Sequence, residues 1–138
     1  MVPAAGVDSG VVVSTAQTSL GTEFARAFGA RDRERIRELV GSEFDFRALT
    51  PRKIFEASDA DRLLEILFDT WIVEGDEITA IEKLEHDSFA DRERVGYRFR
   101  IANERGQYLL EQQAFVTERD GRIAWMRLVC SGWRRDPR

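Results

Sequence analysis

The stretch ERDGRIAWMRLVCSGWRR, residues 118–135, decides the architecture. It opens around Asp120-Gly121, a dipeptide favoured by two-residue hairpin turns because both central positions need positive φ. On either side of that turn apolar residues alternate with polar ones, the period of a half-buried strand. Working backwards, NERGQ (103–107) reads as a type I turn with Gly106 in the left-handed region, which would insert a bulge. The predicted strands are roughly 77–86, 93–102, 107–117 and 122–133. The change to period 2 comes just after Gly75.

Upstream the period is 3.6. Ser14 or Thr15 is placed to cap a first helix, in which Ala16, Leu20, Phe24, Ala27 and Phe28 share one face. Gly29 is expected to close it in the left-handed conformation. A second short helix buries Ile36, Leu39 and Val40 and ends at Gly41; SEFDFRAL (42–49) then alternates as a short strand. Pro51 suits a brief helical turn. Ser58 or Asp59 caps a third helix whose broad stripe runs from Leu63 to Trp71. The expected fold is thus α+β: a single domain over 14–138, with three N-terminal helices on a strongly curved antiparallel sheet of about four to five strands, preceded by a flexible tail over 1–13.

The 138 residues suit one domain, and 43% hydrophobic with 33% charged composition suits a globular one. Net charge is −4 with interleaved signs, which leaves no electrostatic footprint for nucleic acid or an anionic membrane. One cysteine (Cys130) and one histidine (His86) exclude an internal disulfide and any multi-Cys or multi-His metal site. No metal or cofactor is expected. Residues 1–17 lack the basic and apolar regions of a secretory signal, and no stretch approaches the ~20 apolar residues of a membrane helix. A cytoplasmic protein is expected.

The turn assignments fix the register and thereby the two sheet faces. Tyr97 falls near Gln113 and Phe99 near Glu111; Phe115 faces Met126, Gln113 faces Leu128, and Glu111 faces Cys130. All of these lie on the helix-covered wall, with Val95, Ile101 and Leu109. The opposite face carries Arg94, Arg98, Arg100, Arg127, Leu110, Gln112, Ala114, Trp125 and Val129. Arginine stems packing on an apolar patch predict a homodimer through this outer face.

The closing run 118–135, together with FARAFGARDRERIRELVGSEFDF (24–46), resembles the nuclear-transport-factor-2-like superfamily, which contains SnoaL-like cyclases and ketosteroid isomerase. The resemblance spans about residues 15–134 and rests on the order of elements rather than on a sharp motif. It implies a cone in which the bent sheet wraps the helices and leaves an apolar pocket. Members isomerise, dehydrate, hydrolyse, cyclise or only bind, so the fold does not choose among functions. The isomerase's catalytic groups are an Asp base with a Tyr and a protonated Asp as oxyanion hole. Their places fall at Arg47, which cannot accept a proton at neutral pH, Phe24, which cannot donate, and Gln113, whose amide can donate but cannot titrate, so the isomerase mechanism is disfavoured.

Glu111 on an apolar wall would have a raised pKa and suit acid–base work, unless it lies at the rim and pairs with an arginine. Tyr97 and Gln113 would orient a ligand carbonyl or hydroxyl, or simply satisfy one another. Asp45, between Phe44 and Phe46, faces away from them and is exposed if they are core. His86 in EKLEHD is a proton shuttle or a solvated edge residue. Cys130 reads as an inert buried thiol on the wall. Phe24, Phe99, Phe115, Met126, Leu128 and Cys130 complete the expected lining, with Trp133 at the mouth. Two functions stand: a small-molecule domain with an apolar pocket doing cofactor-free isomerase, cyclase, dehydratase or hydrolase chemistry, or a non-catalytic dimeric binding or scaffolding domain.

Overall fold

The computed structural model describes residues 19–137. The expected tail and the Ser14/Thr15 cap lie outside them. Helix α1 runs Leu20–Gly29 and is capped by Ser19, whose hydroxyl accepts from the Thr22 N–H at 3.1 Å. Phe24, Ala25, Ala27 and Phe28 form its buried face. Helix α2, Arg33–Leu39, is capped by Asp32 and buries Ile36 and Leu39. The left-handed residue between them is Arg31, not Gly29. That conformation costs a non-glycine residue about 1 kcal/mol. Arg31 offsets it by donating to the carbonyls of Ile72, Val73 and Asp76. Gly29 serves close packing instead: a Cβ there would come within 2.9 Å of Ile81 Cδ1.

Strand β1, Val40–Leu49, and β2, Ile54–Ala57, form the first hairpin. Helix α3, Ala60–Glu65, is capped by Asp59 and continues as a π-helical turn over Ile66–Trp71. The Ile72 N–H accordingly reaches back five residues to Leu67 O at 3.0 Å. Four long strands follow: β3 (Glu77–Phe89), β4 (Arg92–Asn103), β5 (Gly106–Arg119) and β6 (Arg122–Cys130), and then the short β7 (Arg134–Arg135).

The sheet order is β2-β1-β6-β5-β4-β3, with β7 also pairing β5. It therefore has six to seven strands rather than four to five, and it is mixed, because β1 runs parallel to β6. A parallel pair needs a long crossover, so no local turn signal announces it. The sheet is curved and open. Helix α1 packs on β3, β4 and β5, and α2 and α3 cover β1, β2 and β6. The core lies between, around Phe28.

Strand β5 differs from expectation. The 103–106 turn carries no bulge: Asn103 pairs directly with Gly106, and the Asn103 side-chain oxygen accepts from the Arg105 N–H at 2.8 Å. The 120–121 turn is the expected two-residue type, with φ of 56° and 79°. Just beyond it, however, the ladder slips between Thr117 and Glu118. One extra residue, Ala124, enters β6 as a bulge, which lets Ile123 and Met126, three apart, both bury. Both departures shift β5 by one residue against its neighbours. A one-residue slip turns every side chain over.

Candidate functional site

Tyr97 therefore pairs with Gln112, not Gln113, and Phe99 with Leu110. Val116 faces Met126, Ala114 faces Leu128, and Gln112 faces Cys130. The inner wall of β5 is Leu110, Gln112, Ala114 and Val116, all buried. Glu111, Gln113 and Phe115 stand on the outer face, which corrects their expected place beside the pocket. The physical reason is plain: the flip puts a neutral amide in the core and leaves the carboxylate in water.

Outside, Glu111 binds Arg98 at 2.9 Å and lies 3.8 Å from Lys83. Gln113 accepts weakly from Arg94 at 3.4 Å. Asp45 is exposed, as its alternation with the phenylalanines requires, and pairs with Arg127 at 3.1 Å. His86 is exposed, its Nε2 3.4 Å from Glu93 Oε2. The other oxygen of Glu93 accepts from the Gly21 N–H at the start of α1. Arg94 holds the Asp87 carboxyl below its usual range by hydrogen bonding. Glu111, Asp45 and His86 are not brought together at one site.

Inside, Phe24, Tyr97, Phe99, Met126 and Leu128 pack against one another with almost no exposure. Phe28 is surrounded by the rings of Phe24, Phe68, Tyr97 and Phe99 at 5.1–6.4 Å. Tyr97 donates its hydroxyl to Gln112 Oε1 at 2.5 Å. Burial pushes the Tyr97 phenol well above its usual range, with a smaller contribution from Cys130, so it remains a neutral donor. Gln112 is 1% exposed and, among the described residues, is the polar side chain of the core.

The amide Nε2 of Gln112 has no partner, and neither does the buried indole Nε1 of Trp71. A buried donor left unpaired costs about 1–3 kcal/mol. Substituting one member of the tyrosine–glutamine pair should show that scale. Tyr97→Phe and Gln112→Leu are each expected to lose about 1–3 kcal/mol in urea unfolding, and the double variant clearly less than their sum. Strict additivity would mean that the bond is not made.

A cleft of about 520 Å³ opens where three segments meet. These are the β1–β2 loop with Arg52 and Lys53, the end of α3 with Trp71, and the link from Cys130 to Arg134. Leu110 and Cys130 of the inner wall line it as well. Gln112 is one cross-strand step from Cys130. Gly132 shapes the rim: its φ is 78°, and a Cβ there would come within 2.8 Å of Pro51 Cγ. Trp133 also lines this cleft and stacks obliquely on Tyr108 at 5.1 Å. The sequence reading missed Arg52 and Lys53 as lining residues and Gln112 as the buried polar group next to Cys130, and took Trp71 only as part of a helical stripe. The signal for Gln112 was the three-residue spacing of Ile123 and Met126, which demands a bulge.

A second hollow, a shallow groove of about 600 Å³, lies on the outer face over Leu109, Glu111, Gln113 and Val129. Ile54, Leu49 and Val129 form one cross-strand row there, exposed by 61%, 53% and 57%. Trp125, on the same face, is held between the guanidiniums of Arg92 and Arg127 at 4.2 and 4.6 Å. Leu110, Gln112 and Ala114, expected on this face, are inside.

The sequence matches no protein-family model and no curated protein at significant similarity. Solved structures do match. A candidate isomerase from Rhodopseudomonas palustris is similar at 15% identity with a TM-score of 0.62, over 83% of this chain and 91% of that one. An LEH-like epoxide hydrolase of M. tuberculosis is similar at 11% identity and a TM-score of 0.59, over 81% and 80%. An NTF2-like protein from Burkholderia xenovorans LB400 is similar at 14% identity and 0.59, over 81% and 86%. With three helices wrapped by a curved mixed sheet, this chain has the nuclear-transport-factor-2-like fold.

Proposed function

We propose that this protein is a binding domain for a small, mainly apolar molecule bearing a hydrogen-bond acceptor, entered through the cleft beside Trp71. The observation that carries this is the pair of buried, unpartnered donors, Gln112 Nε2 and Trp71 Nε1, in otherwise apolar surroundings. Buried donors normally find partners, and a few fixed polar groups in an apolar site are what orient a ligand. The fold also hosts catalysis, since one neighbour is an epoxide hydrolase. In this chain, however, no carboxylate and no imidazole among the described residues lines this cleft: the buried Asp136 side chain pairs with Arg100, and the buried Oε2 of Glu93 lies beside His86. Glu111, Asp45 and His86 are all exposed. The binding reading is therefore favoured over acid–base chemistry.

The test compares acetophenone with ethylbenzene, which has nearly the same shape but no acceptor. In ¹H–¹⁵N spectra the Gln112 side-chain amide and Trp71 indole signals should shift with the ketone and much less with the hydrocarbon. The ketone should bind about tenfold more tightly, the worth of one buried hydrogen bond to otherwise unpaired donors. Equal affinities with both signals unmoved would refute the assignment.

The outer face is proposed to pack on a second copy of the chain. The exposed row Ile54, Leu49 and Val129 supports this, being an apolar strip on a sheet otherwise studded with ion pairs. Among the described residues no helix is long and apolar enough to cross a membrane.

A further inference from the structure

The cleft beside Trp71 carries a charge pattern of its own. Arg52, Lys53 and Arg134 line it, and no aspartate or glutamate does. This occurs in a chain whose net charge is −4. Elsewhere on the sheet arginines meet carboxylates: Arg94 meets Asp87, Arg98 meets Glu111, Arg100 meets Glu82 and Asp136, and Arg127 meets Asp45. Among the described residues Arg52 and Arg134 make no ion pair, and Lys53 Nζ rests over the Phe55 ring at 4.9 Å.

Like charges gathered at a partly enclosed rim repel one another and raise the local concentration of anions. Behind that rim the wall turns apolar at Phe55, Trp71, Leu110 and Cys130. We infer that the site takes an amphipathic molecule with an anionic head, the head at Arg52, Lys53 and Arg134 and the apolar body against Trp71 and Leu110. This rests on the pocket reading above and names the class of ligand. The cations come from two separate segments, the β1–β2 loop and the start of β7, so the head is gripped from both sides of the cleft. The seating of Pro51 against Gly132 joins those segments.

Isothermal titration with octanoate, 1-octanol and acetate tests the inference on the full chain. Octanoate should bind about tenfold more tightly than octanol at low salt, and the gap should narrow as salt rises. Acetate should give no measurable binding, because it has no body to bury. The triple variant Arg52→Gln, Lys53→Gln, Arg134→Gln should bind octanoate and octanol alike, the loss falling on octanoate, with the melting temperature unchanged. All three side chains are exposed, so the substitutions leave the core intact. Equal affinities in the unmodified protein would overturn the anionic head while leaving the pocket standing. A preference surviving in the triple variant would place the head elsewhere and overturn it too. Acetate binding as well as octanoate would overturn the role of the apolar body. Silence from both eight-carbon probes would remove the pocket reading itself, and this inference with it.

Discussion

Replacing Phe28 by alanine is expected to cost about 3–5 kcal/mol, the usual loss for a large buried aromatic residue. Phe28 is fully buried at the C-terminal end of α1. Its ring meets Phe24 of the same helix, Phe68 of the π-helical turn, and Tyr97 and Phe99 of β4. Three elements thus share one side chain, and edge-on aromatic contacts add to its area burial. Domains of this size are stable by only about 5–15 kcal/mol. Urea unfolding should show a much lower midpoint with an unchanged slope. A loss near 1 kcal/mol would mean that the neighbouring rings close over the gap and that Phe28 is no hub.

The second large effect concerns assembly. The unmodified protein is expected to scatter light with twice the 15.9 kDa chain mass, and the Leu49→Glu, Val129→Glu double variant with the chain mass alone. Leu49 and Val129 are direct cross-strand partners, more than half exposed, and two carboxylates there would have to be desolvated at the contact. Trp125→Glu is a poorer probe, despite its place on this face. The new carboxylate would sit between Arg92 and Arg127, which already grip the indole, and would be neutralised by them. A single chain mass for the unmodified protein would remove the dimer. An unchanged mass for the double variant would move the interface off this row.

Much of the architecture was legible in local chemistry. Asp59 caps the helix that follows it. The Asp120-Gly121 pair makes its hairpin turn. The alternation of Phe44 and Phe46 with Asp45 correctly puts the phenylalanines in and the aspartate out. Tyr97, Phe99, Met126 and Leu128 were all placed on the inner wall, where they lie. Arg31 was not legible as a helix terminator. Its left-handed backbone is held by carbonyls some forty residues away.

By itself, then, the sequence determined most element types, the two long hairpins and the side to which most strands turn, because each rests on contacts within a few residues. The helical turn expected after Pro51 is instead a bend leading into strand β2, which pairing with β1 creates. The face of β5 and the makeup of the site were decided only in the folded molecule. Choosing between Glu111 and Gln112 for the interior depends on two bulges, one expected at Gly106 and absent, the other unforeseen at Ala124. A bulge is set by how well both neighbouring strands bury their side chains, not by the turn beside it. The parallel pairing of β1 with β6, and the meeting of the 50–53 loop, Trp71 and Arg134 around one cleft, are likewise products of long-range packing. No periodicity along the chain encodes them, because the residues that settle them are far apart until the sheet has formed.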